Sequence, residues 1–149
     1  MTAKQLAASD SEAQAEEQIR EAMFSKTDSQ QLLVGLGGKL SEGQGGTREL
    51  SIFTHLDAKP LHFQKEREHN LNTVTFVLAV FDQKDDLIMA QQKRVGLNLL
   101  DAQLQDLFKY GVNISLNFQL KPGIYRIREL VTDSAEHHLT ARSTTIKVP

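Results

Sequence analysis

The fold class this chain predicts is an antiparallel β-sandwich of the immunoglobulin or fibronectin kind, with about seven strands. Three observations carry that prediction. Val112, Ile114, Leu116, Phe118 and Leu120 alternate strictly with Asn113, Ser115, Asn117 and Gln119, so one face of a strand is apolar and the other wet. Residues 73–81 are apolar at both alternating sets of positions, as a central or covered strand must be. Turn-forming clusters recur at short intervals, among them SEGQGGT at 41–47, DQKDD at 82–86 and KPG at 121–123.

The bulk properties bound the rest. A chain of 149 residues suits one domain with a core that needs no staples. Residues 1–30 read as a disordered start and helical linker, and 31–149 as the sandwich. The net charge of -2 offers no basic field for nucleic acid or an anionic membrane. The absence of cysteine excludes disulfides, thiolate metal sites and cysteine nucleophiles, and leaves the compartment open. No apolar run approaches the ~20 residues of a membrane span. Lys4 is not followed by an apolar core, so the sequence contains no secretory signal; if the domain is exported, the address lies elsewhere.

Taken in order, residues 11–24 predict a helix. Ser11 and Gln14 have capping-box spacing, Ala15, Ile19, Ala22 and Met23 share a side, and Glu16 and Arg20 form a favourable pair one turn apart. A short helix ahead of a β domain reads as a connector. Residues 32–40 form a first strand with Val34, Leu36 and Leu40 on one face. Gly35, Gly37 and Gly38 weaken it, which suits an edge strand or a bulge. Residues 50–57 follow, with Leu50, Ile52 and Leu56 alternating against Ser51, His55 and Asp57. Pro60 ends that strand, and Leu61 and Phe63 give a short apolar return. Residues 65–72 read as charged and exposed.

The central run 73–81 turns at 82–86 into a strand over 87–97 that becomes polar at 91–94. Residues 101–110 predict a helix, with Leu104, Leu107 and Phe108 at helical spacing, Asp101 as N-cap and Gly111 as stop. The strand at 112–120 then reverses through Lys121-Pro122-Gly123, because Pro fixes its own φ and Gly accepts a positive one. The next strand puts Tyr125, Ile127 and Val131 on one face and Arg126, Arg128 and Thr132 on the other. The two are expected to pair as a hairpin. Residues 139–148 supply the last strand. Tyr125 either makes a tyrosine corner, its hydroxyl bonded to backbone a few residues upstream, or is a rim tyrosine with a wet hydroxyl.

A search for chemistry finds little. Gly35 to Leu40 fails as a phosphate loop, with Leu40 where Ser or Thr must hold magnesium and Leu33 where the first Gly belongs. A dinucleotide fingerprint would need Gly at 40 and a following helix. Ser41 lacks the glycine frame of a nucleophile elbow. His55, His62 and His69 recur at an interval that gives no shared face, and His137-His138 falls in a turn, so no convergent metal site is expected. Asp82, Asp85 and Asp86 lack the ladder of a calcium loop. Asn113-Ile114-Ser115 is a formal glycosylation sequon set in mid-strand. Glu129 contradicts its surroundings, because it falls on the Tyr125–Ile127–Val131 side. It is either a strand end, a bulge or a partner for Arg142, or else a functional carboxylate. No paired carboxylates, triad or cofactor box emerges. No catalytic, cofactor-binding or metal residue is therefore assigned, no cofactor is expected, and the chain reads as a non-enzyme.

One resemblance adds to this. Residues 19–25 (IREAMFS), Leu61-His62-Phe63, Phe81-Asp82, the L-K-P-G-x-Y-x-I-R run from Leu120 to Arg128, Val131-x-Asp133 and the terminal Ile146-x-Val148-Pro149 occur in a definite order. The set resembles the C-terminal region of the bacterial von Willebrand factor A-related proteins common in Acidobacteria, over about residues 14–149. That resemblance implies a sandwich trailing an A domain in an exported chain, hence an extracytoplasmic setting. It implies no defined site residues. The chain has no Asp-x-Ser-x-Ser, so metal-dependent adhesion does not carry over, and Glu129 stands where the family pattern expects an apolar residue. The expected function is a non-catalytic structural or protein-interaction module. Its partner is a protein or the neighbouring A domain, met through the edge at 32–40. The alternative is a small-ligand or carbohydrate-binding sandwich, which needs exposed aromatics on one face.

Overall fold

The computed structural model describes the backbone from Ala3 and side chains from Gln14 onward. The elements in chain order are α1 (Ala3–Phe24), β1 (Ser29–Gln30), β2 (Val34–Glu42), β3 (Arg48–Leu56), β4 (Gln64–Glu66), β5 (His69–Phe81), β6 (Leu87–Leu99), α2 (Asp101–Tyr110), β7 (Val112–Leu120), β8 (Gly123–Asp133) and β9 (Leu139–Val148). They build an antiparallel β-sandwich. In the larger sheet β1 pairs with β9, β9 with β8 and β8 with β5, and β5 also pairs with β4 and β6. The smaller sheet runs β2-β3-β7.

The expected hairpin at 121–123 is not one. The strand before it, β7, pairs with β3 in the small sheet, from Arg48 opposite Leu120 to Leu56 opposite Val112. The strand after it lies between β5 and β9 in the large sheet. Lys121-Pro122-Gly123 is thus a corner that carries the chain from one sheet to the other. Turn chemistry fixes the reversal, but the partner of each strand is chosen by distant residues. The Tyr125 hydroxyl donates to the Lys121 carbonyl oxygen at 2.7 Å, so the tyrosine corner is made and braces this crossing.

The inward faces form the core. Leu32, Leu56, Leu61, Val74, Phe76, Ile114 and Val131 pack at one end, and Leu50, Ile52, Leu78, Val80, Phe118, Leu120 and Ile127 at the other. The second face of β5 is apolar because α1 covers it. Ile19, Ala22 and Met23 pack on Val77, Leu130 and Ala141 of the outer face of the large sheet. The helix is therefore more than a connector, and it begins earlier than expected. Ser11 lies inside it rather than at its cap, while Met1 and Thr2 of the expected disordered start lie outside the described residues.

Arg128 fixes the end of that helix. It is fully buried, yet all three of its nitrogens donate hydrogen bonds. Nε donates to the Ala22 carbonyl at 3.0 Å, Nη2 to the Thr27 carbonyl at 2.6 Å, and Nη1 to Asp28 Oδ1 at 2.7 Å and Ser143 Oγ at 3.1 Å. Cationic groups are favoured where a helix ends in unpaired carbonyls. Farther along the same face, Phe24 meets Phe81 edge-on at 5.9 Å, and the Arg126 guanidinium lies 4.2 Å from the Phe81 ring centre.

The far end is closed by α2, which has its expected bounds but not its expected cap. Leu100 is the cap residue, and Gln103 Oε1 reaches back to accept its N–H at 2.9 Å. Asp101 instead takes Lys65 Nζ at 3.0 Å and Asn70 Nδ2 at 2.9 Å. Phe108 meets Phe63 edge-on, which gives the short apolar return its role. Gly111 stops the helix at φ +73°, where a Cβ would sit 2.5 Å from the Leu56 carbonyl oxygen. Residues 65–72 are not uniformly exposed. Asn70 and Asn72 are buried and hold the neighbouring loops, Asn72 through its bonds to the His62 carbonyl, Ser134 and Ala135.

Candidate functional site

The two long sides of the sandwich differ. On one, Gln91 Nε2 of β6 donates to the Asn117 carbonyl oxygen of β7 at 2.6 Å. On the other, no hydrogen bond joins β2 to β9 among the described residues. β2 pairs only with β3, while β9 has β1 as its second neighbour at Thr140 and Ala141 alone. From Arg142 to Val148 that edge has no strand partner among the described residues.

Between these two free edges lies an open cleft of about 490 Å³. Its walls and floor are inward-facing residues of both sheets: Leu36 and Leu40 of β2, Ile52 of β3, Ile127 of β8, and Thr144 and Ile146 of β9. Leu50, Ile52 and Ile127 also belong to the core cluster, so the cleft opens directly onto the core. The rim carries Lys39 and Lys147 and no carboxylate. The expected edge at 32–40 is thus an edge from Val34 onward. Leu32 itself is buried, exchanging bonds with Thr140 Oγ1 at 2.8 and 2.7 Å.

One inward step beyond Thr144 and Ile127, Arg142 faces Glu129 across the β8–β9 ladder. Glu129 is 1% exposed and sits in mid-strand with unbroken register, so it is neither a strand end nor a bulge, and Arg142 is its charged partner. Its Oε2 accepts from Thr54 Oγ1 at 2.7 Å. Its Oε1 lies 3.4 Å from Arg142 Nε without hydrogen-bond geometry, and neither atom has another partner. Burial pushes this carboxyl above the usual glutamate range, against the Thr54 bond and the Arg142 charge, which pull it down.

The remaining polar candidates form small local groups rather than one site. His55 Nδ1 is 2.8 Å from Asn113 Oδ1 on the exposed face of the small sheet, so the sequon asparagine has a partner on its own sheet. His62 pairs with Glu136, whose other oxygen lies 3.4 Å from His138 Nε2, and His138 Nδ1 lies 3.8 Å from Asp133 Oδ1, while His69 begins β5 opposite Glu66 of β4. Asp82 Oδ1 accepts the N–H groups of Lys84 and Asp86 at 2.9 and 3.0 Å and so shapes its own turn. Asp85 pairs with Arg126 at 2.7 Å, and that hydrogen bond holds its carboxyl below the usual aspartate range. Among the described residues no three of His, Asp and Glu are grouped as metal ligands would be. Among the same residues no helix is long and apolar enough to cross a membrane.

One feature of the small sheet was not anticipated. Phe53 is 48% exposed on its outer face, directly opposite Gly37 on β2 and Ser115 on β7. With Gly35, His55 and Asn113 it borders a shallow depression of about 560 Å³. The alternation over 50–57 could have revealed it, since Phe53 falls among Ser51, His55 and Asp57.

No protein-family model matches the sequence, and no curated protein matches it. Solved structures do share its architecture. A putative β-galactosidase from Bacteroides fragilis superposes over 76% of this chain and 16% of its own, with a TM-score of 0.52 and 12% identity. A glycosyl hydrolase family 2 member from Bacteroides cellulosilyticus covers 76% of this chain and 14% of its own, with a TM-score of 0.54 and 9% identity. The chain corresponds to a small part of each of those proteins. At such identity the likeness shows the β-sandwich fold and stops there.

Proposed function

We infer that this chain is a non-catalytic protein-interaction β-sandwich whose docking site is the open side between β2 and β9. The single observation behind this reading is the unequal closure of the two long sides. An apolar cleft flanked by two unpaired strand edges offers both backbone bonds and side-chain pockets to an added segment. The setting we propose is the trailing module of a von Willebrand factor A-related exported chain, with the A domain as partner. That setting rests on the sequence resemblance alone.

Two experiments test the parts separately. The genomic DNA upstream of the Met1 codon decides the setting: an open frame encoding an A domain keeps it, and a stop codon with a ribosome-binding site removes it. Gly37→Pro tests the edge, since a Cβ at Gly37 meets nothing within 4 Å while Pro removes a backbone donor. Loss of A-domain binding with an unchanged melting temperature supports the cleft. Intact binding excludes it.

A second reading has one observation in its favour. Phe53, with the glycine-lined depression beside it, is an exposed aromatic on a sheet face, which small-ligand or carbohydrate binding would need. The opposing account is that Phe53 is a single exposed hydrophobic side chain, since nothing lies within 4 Å of a Cβ at Gly37. Titration with lactose, followed by the His55 ring resonances, separates the two: a saturable shift favours the ligand, and none favours the lone hydrophobe.

A further inference from the structure

We propose that His138, Glu136, Asp133 and His62 form a proton-operated clasp, closed when His138 carries both of its ring protons and slack when it carries one. The clasp is independent of the β2–β9 cleft. It joins two stretches far apart in the chain: residues 57–63, which lead from β3 in the small sheet to β4 in the large one, and residues 134–138, which link β8 to β9. His138 stands between two carboxylates and turns one nitrogen to each. Nδ1 is 3.8 Å from Asp133 Oδ1, and Nε2 is 3.4 Å from Glu136 Oε2. A neutral imidazole has one N–H and one lone pair, so one carboxylate must face the lone pair. Only the imidazolium donates to both. Both contacts are longer than hydrogen bonds, so a second proton has two charge-assisted bonds to draw in. Asp133 cannot turn away. It is 1% exposed, and its oxygens accept the His138 N–H, the Glu136 N–H and Asn72 Nδ2 at 2.9, 3.1 and 3.3 Å. Glu136 carries the tie to the other stretch, because its second oxygen accepts from His62 Nδ1.

The surroundings leave the charge to these four groups. From β5, the Asn72 amide meets Asp133 and also holds the His62 carbonyl at 3.0 Å. From the segment after β1, the Gln31 amide accepts the Leu139 N–H. Within 57–63, Asp57 Oδ1 accepts the Lys59 N–H, and His137 borders the groove beside α1 with Glu16 and Arg20. Among the described residues no lysine or arginine pairs with His62, Asp133, Glu136 or His138. Histidine is the side chain whose charge ordinarily changes between about pH 5 and 8. The pull of a doubly protonated His138 is therefore present below that range and lost as pH rises through it.

Amide exchange of the full chain, expressed as protection factors at about pH 5.5 and about pH 8, tests the clasp. The reporters are the Leu61 N–H, bonded to the Ala58 carbonyl, and the Glu136 and His138 N–H groups, bonded to Asp133. In the parent, protection at all three is expected to be roughly 3-fold higher at the lower pH, the size of a half-exposed ion pair. His138→Gln takes no second proton. It should match the parent at the higher pH and lack the rise at the lower one. Glu136→Gln should lose the rise at Leu61 and keep part of it at the His138 N–H, where Asp133 remains. A parent with no rise overturns the proposal, as does a rise that survives His138→Gln. A rise shared equally by the amides of β7 reports global stability and overturns it too. If His138→Gln is already less protected at the higher pH, Glu136→Gln decides: loss of the Leu61 rise supports the clasp, and its survival overturns it.

Discussion

Along the β6–β7 side, Met89, Val95 and Leu97 of β6 reach into the core, and Gln91 ties the two edges through the Asn117 carbonyl. Along the β2–β9 side, β2 offers Gly35, Gly37 and Gly38, and β9 offers Thr144 and the half-buried Ile146. On the first side the edge strand turns Met89, Val95 and Leu97 inward. On the second, Gly38 stands between Leu36 and Leu40 on the inward face of β2, and the small Thr144 lines the facing wall. The edges are also guarded differently. Gln91, Gln92, Lys93 and Arg94 make the middle of β6 polar, whereas the middle of β2 is glycine and leucine with Lys39, and its charge of opposite sign, Glu42, comes only at the strand end. A free edge beside an unsealed core is where a partner gains most per residue added, which is why the reading of function rests there.

Stability measurements can break or sharpen this contrast. The largest effect is expected at Phe118, 1% exposed on β7 at the sealed side. Phe118→Ala should cost roughly 3–5 kcal/mol in urea unfolding, while Leu36→Ala on the half-exposed open side should cost only about 1 kcal/mol. Equal losses would mean that the cleft is as well packed as the sealed side. Arg128→Ala should come next, at about 3 kcal/mol, because it leaves the Ala22 and Thr27 carbonyls without a donor. Faster amide exchange in α1 should accompany it, with no change at β2. A change at β2 would link the helix to the cleft and spoil their separation.

Smaller effects follow. Tyr125→Phe should cost about 1 kcal/mol by removing the corner bond, and an unchanged melting temperature would mean that the sheet crossing does not depend on it. Glu129→Gln concerns pH. The folded pKa of Glu129 is raised, so the native state holds this proton more tightly than the unfolded one. Its unfavourable contribution is absent below the ordinary glutamate range and grows as pH rises through the folded value. Glu129→Gln keeps an acceptor for Thr54 and lacks that titration. Its unfolding free energy should fall less than the parent's over this window. A parallel fall in both would assign the pH dependence to another group.

Much of the fold was legible in the sequence, and the limits have physical causes. The alternation over Val112–Leu120 placed β7 end to end, and the two-faced apolar run placed β5 in the middle of its sheet. Both patterns are local. The hairpin expected at 121–123 failed because Pro-Gly chemistry specifies a reversal but not which sheet receives the next strand. Arg128 read as a wet residue opposite Ile127, since its partners Ala22, Thr27 and Asp28 lie near the other end of the chain. Asn70 and Asn72 continue the inward set of Val74 and Phe76, a periodicity masked by the charged residues around them. Of the cleft, only the glycine run marked the edge. The facing wall on β9 and the gap between the sheets have no local signature.

Amide hydrogen exchange, read strand by strand with and without the A domain, tests the central claim most directly. The account predicts new protection in β2 over Val34–Glu42 and in β9 over residues 142–148, with β6 unchanged. Protection confined to β6 and β7, or none anywhere, would contradict it.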